Sequence, residues 1–208
     1  MIAYKFLCAG GVGPFSRYHW PLPSDGGGAG AWVAAAPDPV LCRRAVHACR
    51  VGDLPWWLQD ELWELELDGA VTAGRHKVMA PRGRLLRRVA AWDADCAQRF
   101  ADACAERARD HAVAALERAG ASSEATRLRR AATPRELFDT VRTAEPPEAA
   151  RVAVTMAGGA ARRALGGAAV TAAYIAAHTA ANVDGAEAMD AERAWQSQWL
   201  GTALALSA

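Results

Sequence analysis

The 208-residue chain carries 24 Lys and Arg against 23 Asp and Glu, a net charge of +1, with 52% apolar and 23% charged residues. That balance argues against a generally basic nucleic-acid or membrane-surface binder, and the length suffices to bury a core without disulfide or metal staples. Five Cys, an odd number, point to free thiols in a reducing compartment. The first residues reach Gly10 before any apolar run of signal-peptide length, and the most apolar window, 168–181, is short and Ala-rich. The expectation is a cytoplasmic protein without a membrane span. Arg outnumbers Lys by 22 to 2, which together with abundant Ala reads as a GC-rich coding bias.

Composition breaks at Trp92. Six of the eight Trp and seven of the ten Pro lie in 1–92, where apolar residues come in short runs between Gly and Pro. The remainder has helical periodicity, so the chain reads as a strand-rich module, 1–92, followed by a helical module, 93–208, folding together. In chain order, Ala3–Cys8 alternates as a strand and ends at Gly10–Gly11. A Gly-, Pro- and aromatic-rich loop spans 12–31, and short strands are expected around Trp32–Val33 and over Arg44–Cys49. Asp53 stands where an N-cap would, ahead of a short helix from Pro55 to about Asp60. Leu62–Leu67 is the clearest strand, with Trp63, Leu65 and Leu67 on one face and Glu64 and Glu66 on the other. Val71–Met79 and Arg84–Ala90 follow, on either side of a turn at Pro81–Arg82–Gly83.

From Asp93 a stripe of Phe100, Ala101, Cys104, Ala108 and His111 predicts a long helix closed by Gly120. A short helix follows from Ser123. Thr133–Pro134–Arg135–Glu136 carries the cap, first-turn proline and returning Glu of a capping box. The next helix begins at Pro146–Pro147 and is expected to break near Gly158–Gly159 or Gly166–Gly167. Two more helices, separated by Asp184–Gly185, carry Tyr174, His178, Trp195 and Trp199.

Three groups of side chains invite a chemical reading. Cys42, His47 and Cys49 carry thiolate and imidazole donors suited to tetrahedral zinc, but their spacing matches no zinc pattern, so core cysteines are the expectation and no metal or cofactor is predicted. Glu64 and Glu66 present paired carboxylates on one strand face, suited to acid–base work; a solvated face, or ion pairs to Arg84, Arg87 or Arg88 on a neighbouring strand, is the alternative. His47 is the third catalytic candidate. The stretch Arg75–Arg88 holds six cations and no acid; with Trp20 and Trp56, Arg84 and Arg87 are candidates for binding a nucleotide or an anionic aromatic ligand through the planar guanidinium fork. The glycines at 26–28 lack the Lys and Ser or Thr of a phosphate loop.

Tyr4–Lys5–Phe6–Leu7, Pro14–Phe15–Ser16, Trp20–Pro21, Cys42, His47–Ala48–Cys49, Asp53–Leu54–Pro55, Leu62–Trp63–Glu64 and the closing 191–200 segment resemble a group of uncharacterised actinobacterial proteins. The order of strands in 1–92 is also similar to small ADP-ribosyltransferase domains of the rifampin-modifying type. That resemblance implies a shared fold only. Those domains use a His near the first strand, a Tyr after the second and a later acid, and this chain has none of them at the matching places.

The sequence therefore predicts an α+β protein, a small mixed or antiparallel sheet packed by Ala-rich helices. Its leading function is binding of a small molecule, or cofactor-independent catalysis, on the first module. The competing reading is an interaction protein docking a partner or a second copy through its C-terminal helices and the Trp195–Trp199 end. RNA binding through 75–88 is the third.

Overall fold

The computed structural model describes residues 1–24, 27–35 and 45–206. The fold is α+β, with two small antiparallel sheets and six α-helices among the described residues. It divides into two compact units, one of Met1–Asp93 together with the residues from Leu200 onward, the other of Ala94–Trp199.

The first unit holds strands β1 (Ile2–Leu7), β2 (Val33–Ala34), β3 (Val46–Ala48), β4 (Glu61–Asp68), β5 (Thr72–Gly74), β6 (Lys77–Ala80) and β7 (Arg82–Arg88). Instead of one sheet there are two, ordered β1-β4-β7-β2 and β3-β6-β5. Backbone hydrogen bonds in both directions between Tyr4 and Cys49, each 2.8 Å, join the edge of one to the end of the other. The expected turn at Pro81–Arg82–Gly83 is a corner. Pro81 passes the chain from β6 to β7, and Arg82 and Gly83 already pair with Asp68 and Leu67. A proline fits there because a corner residue has no ladder bond to donate.

The inner faces of the sheets form one apolar core from Ala3, Leu7, Trp20, Val46, Trp63, Leu65, Val78 and Leu85, among others. Alternation along β4 sends Trp63, Leu65 and Leu67 into it, as the sequence predicts, and leaves Glu64 and Glu66 half-buried on the other face. Between β3 and β4 lies a 3₁₀ helix, Val51–Trp56. Asp53 is not its cap. It sits inside the helix, 4% exposed, where its carboxylate takes the Arg50 backbone N–H at 3.1 Å and the Arg50 guanidinium at 2.7 Å.

The second unit contains α1 (Ala94–Arg118), α2 (Ser122–Arg129), α3 (Pro134–Arg142), α4 (Glu148–Leu165), α5 (Ala169–Asp184) and most of α6 (Ala186–Ala203). Helix α1 packs against α4 and α5, and α3 against α4. Buried alanines at helical spacing, such as Ala153, Ala157, Ala160 and Ala164 on α4 and Ala169, Ala172, Ala176 and Ala180 on α5, let these helices approach closely. Helix α4 runs through Gly158–Gly159 and ends only before Gly166–Gly167. A Cβ on Gly158 would lie 2.7 Å from Val141 Cγ1, so this glycine serves close packing of α3 on α4 and not a break. Thr133 caps α3 by accepting the Glu136 N–H at 3.2 Å, while the Glu136 carboxylate reaches one residue past the cap, to the Ala132 N–H at 2.8 Å. No helix among the described residues is long and apolar enough to cross a membrane.

Candidate functional site

The sheet unit holds both lysines of the chain, each beside a tryptophan ring. The assembly begins with a pair of acids at the start of β4. Asp60 accepts the Ala9 N–H at 2.9 Å, and Glu61 accepts those of Gly10 and Gly11 at 3.1 and 3.2 Å and the Trp63 indole N–H at 3.0 Å. Gly10 and Gly11 have φ of +75° and +73°, a left-handed pair that side chains with a Cβ resist and that turns consecutive N–H groups toward one carboxylate. The chain leaving this turn is held by bridges Cys8↔Val12 and Val12↔His19 and brings Trp20 into the core, 8% exposed.

Lys5 stands on the same face of β1 as Ala3 and Leu7, both core residues, and across from Trp63. Its ammonium donates to the His47 carbonyl at 2.7 Å and lies 4.8 Å from the centre of the Trp20 ring. Burial lowers its pKa from 10.5 to about 8, with only the nearby Cys49 pulling the other way. The His47 imidazole is held below its ordinary value of 6.5, first by burial and then by the charges of Lys5 and Lys77, so it is neutral at physiological pH. Lys77 in turn lies 5.6 Å from the Trp57 ring.

Around them the surface is aromatic. Trp57 donates its indole N–H to the His76 carbonyl at 2.5 Å and meets the edge of Phe15, which is 83% exposed. Trp56 stacks on the His76 imidazole with ring centres 4.0 Å apart and planes 17° from parallel. Flat ring faces beside ammonium groups can accept a planar ligand by stacking while the cations meet its negative charge.

The residues singled out from the sequence fall in different places. Cys42 lies outside the described residues. His47 and Cys49 diverge in partners, for the Cys49 thiol is buried and donates to the Tyr4 carbonyl at 3.3 Å, and its burial pushes its pKa up to about 12. No group of three or more His, Cys, Asp or Glu among the described residues is placed to hold a metal ion. Glu64 and Glu66 pair with Tyr4 and Ile2 across β1, on the face opposite Lys5. There they take up the ion-pair arrangement: Arg87 Nε lies 2.8 Å from Glu64 and Arg84 Nε 2.7 Å from Glu66. A bulge between Glu64 and Leu65 puts Arg84 and Arg87 on one side, where regular alternation would have separated them. The guanidinium groups of Arg84 and Arg82 also lie 4.6 and 4.9 Å from the centre of the Trp32 ring. Of the four ligand candidates, Trp20 and Trp56 thus belong to the surroundings of Lys5 and His76, while Arg84 and Arg87 belong to a separate, charge-paired strand face.

Sequence reasoning passed over Lys5, Lys77, Trp57 and His76 as a group. It also passed over a buried polar network in the helical unit. Glu192, 1% exposed, accepts from Arg107 Nε at 2.9 Å and from Gln196 at 3.3 Å, and its Oε2 lies 3.2 Å from His111 Nε2. Gln196 bonds on to the Ala173 carbonyl and accepts from Arg193. Trp199 packs on Phe100 at 5.1 Å, and Trp195 lies under the Arg107 guanidinium at 5.0 Å, so both C-terminal tryptophans are engaged within this unit. A separate shallow cleft of about 510 Å³ between Val141, Pro146, Arg151 and Val154 contains none of these groups. Comparison with protein-family models, with curated proteins and with solved structures finds no match to this chain.

Proposed function

We propose that the sheet unit binds a small anionic aromatic molecule at the surface around His47. One observation carries this reading: both lysines of the chain act on the same imidazole, and each ammonium lies over a tryptophan ring. A phosphate or carboxylate placed between the two ammonium groups would be bound by charge-assisted hydrogen bonds, and the ring attached to it would stack on the exposed Phe15 or on the partly exposed Trp57 and Trp56–His76 surfaces. The acids of β4 do not oppose this, since Glu61 is turned to the Gly10–Gly11 turn and Glu64 and Glu66 are paired with arginines on the far face.

The test is quenching of tryptophan fluorescence by pyridoxine 5′-phosphate, an aromatic phosphate without a carbonyl group. Saturable quenching is expected, and Lys77→Ala should weaken it by roughly 1–3 kcal/mol, the scale of a hydrogen bond to a charged group. Absence of saturation in the folded protein would remove the proposal.

A further inference from the structure

Helices α3 and α4 touch closely at one point and leave a space beside it. At Gly158 there is no room for a side chain, because a Cβ there would meet Val141 Cγ1 at 2.7 Å. Toward the start of α4 the same face carries Val154 and Arg151, one and two turns before Gly158. There the 143–147 connection joins the helices, and a cleft of about 510 Å³ opens over Val141, Pro146 and Val154, with Glu145, Arg151 and Thr155 on its walls. That volume is in the range of small-molecule sites, about 300–1,000 Å³. All three wall residues are exposed, so a ligand can enter without any movement of the chain. We propose that this cleft binds a small apolar zwitterion, an amino acid or dipeptide whose ammonium meets Glu145 and whose carboxylate meets Arg151.

The charges are placed for such a ligand. Glu145 has no ion pair among the described residues. Arg151 has one, to Glu148 at 2.7 Å, but the two side chains are 59% and 84% exposed. An ion pair so open to water is weak, and the Arg151 fork has donors left for a second carboxylate. The Thr155 hydroxyl gives its proton to the Arg151 carbonyl at 2.9 Å, which leaves its oxygen able to accept from an ammonium. A ligand with both charges on an apolar body meets both walls and the floor. An ion of one sign would instead set its apolar part against the opposite wall charge.

The cleft is built before a ligand arrives. Arg127 Nη2 holds the end of α3 through the Thr140 carbonyl at 2.8 Å and the Thr143 hydroxyl at 2.6 Å. Pro146 and Pro147 fix the backbone entering α4, and Gly158, lacking a side chain, lets Val141 seat directly on that helix. A lining that keeps its shape spares the ligand the cost of ordering it, which weighs most on a small molecule.

The test is an NMR titration of the full chain with L-leucine and with L-leucyl-L-leucine. Saturable shifts are expected at the Val141 and Val154 methyls and at backbone amides within 144–151, and the tighter binder shows whether the cleft is sized for an amino acid or a peptide. The N-acetyl form of that ligand lacks the ammonium and its amide lacks the carboxylate. Each should bind at least about tenfold more weakly, the scale of one charge-assisted contact. Glu145→Gln, at an exposed position, should weaken the parent ligand by about tenfold and leave the N-acetyl form unaffected. Comparable binding of the parent and either blocked form overturns the proposal. Absence of saturation at these residues in the wild-type chain does so too, as does binding indifferent to Glu145→Gln. The blocked forms are tested on the wild-type chain, so the result does not depend on a variant folding.

Discussion

Lys5 in the sheet unit and Glu192 in the helical unit are both ionisable groups taken out of water, and they are handled in opposite ways. Glu192 receives Arg107, His111 and Gln196 together. Burial alone would raise its pKa, yet the hydrogen bond from His111 and the charge of Arg107 outweigh it, and the carboxyl is held below its ordinary value. Lys5 has a carbonyl and a ring face, and burial wins. A buried charge with a full set of opposite partners is fixed in its charged state and serves to hold elements together; one that lacks them is left ready to change state. The contrast is one of electrostatics: the charge of Glu192 is fixed by its partners, and that of Lys5 is not.

The largest effect that can break this contrast is removal of the Glu192 carboxylate. Glu192→Ala strands the Arg107 guanidinium, the Gln196 amide and the His111 ring, and should cost about 3–5 kcal/mol of unfolding free energy in urea titrations, the usual penalty for breaking a buried pair from one side. Because the folded pKa of Glu192 is depressed, its contribution is present above the unfolded value near 4.5 and is lost as pH falls through the folded value. A loss below about 1 kcal/mol would place Glu192 among ordinary surface charges and end the comparison.

Lys5 should show the reverse dependence. Its folded pKa of about 8 lies below the unfolded 10.5, so in that interval the unfolded chain binds the extra proton and stability rises with pH. Below pH 8 both states are protonated and the fold carries the full penalty of burying the ammonium, roughly 3 kcal/mol. Buried Cys49 and Cys104, both with raised pKa, act in the opposite sense above about pH 9, because their unfolded thiols ionise first. The measurement is therefore a difference between the wild-type chain and Lys5→Met. The variant's stability relative to wild type should fall by roughly 3 kcal/mol between pH 7 and pH 11, and a flat difference would mean that Lys5 is solvated in the fold.

The two sides of this comparison were not equally legible in the sequence. Alternation placed Trp63, Leu65 and Leu67 inward and the glutamates outward, and the capping residues of α3 announced its start. These are local patterns, set by the pleat and by unsatisfied N–H groups at a helix end. Lys5 lies on the inward face by the same alternation, yet a lysine between apolar residues reads as a strand residue reaching water. Beside it stands Trp20, brought there by a turn fixed on Asp60 and Glu61, some fifty residues further along the chain. Glu192 was hidden for a similar reason, since its partners Arg107 and His111 lie 85 and 81 residues away. The one signal in plain view was the two lysines among 22 arginines, which base composition explains equally well. The bulge that turns Arg84 and Arg87 to one side left no trace in the pattern.

A smaller change tests the cover over Lys5 without touching its charge. Gly30 is buried, donates its N–H to Leu85 at 2.8 Å, and has no room for a side chain because a Cβ there would run into the carbonyl oxygen of Pro21. Backbone cannot swing aside as a side-chain tip can, so Gly30→Ala must push the segment that follows Trp20 away from the sheet. Overpacking of this kind costs about 1–3 kcal/mol. If Trp20 is what keeps Lys5 out of water, placing Gly30→Ala in both chains should also flatten the pH dependence of the stability difference between wild type and Lys5→Met, because a solvated lysine titrates alike in both states. Loss of stability with an unchanged pH dependence would show that the ring contributes little to the environment of Lys5.

The smallest effect expected is at Arg87, and it sharpens the rule behind the comparison. Its Nε lies 2.8 Å from Glu64, closer than His111 is to Glu192 at 3.2 Å, so distance alone would make it the stronger contact. Yet the Arg87 side chain is 68% exposed, whereas that of Glu192 is fully buried. Water already solvates the Arg87 guanidinium and screens its attraction to Glu64, and fixing a long side chain costs entropy of similar size. Arg87→Ala should therefore change unfolding free energy by less than about 1 kcal/mol, with the remainder fading in high salt. It should also leave pyridoxine 5′-phosphate binding unchanged, because Glu64 and its partner lie on the strand face opposite Lys5. A cost above about 2 kcal/mol would mean that pairing geometry, and not removal from water, sets the worth of charges in this fold, and the distinction drawn between Lys5 and Glu192 would lose its physical basis.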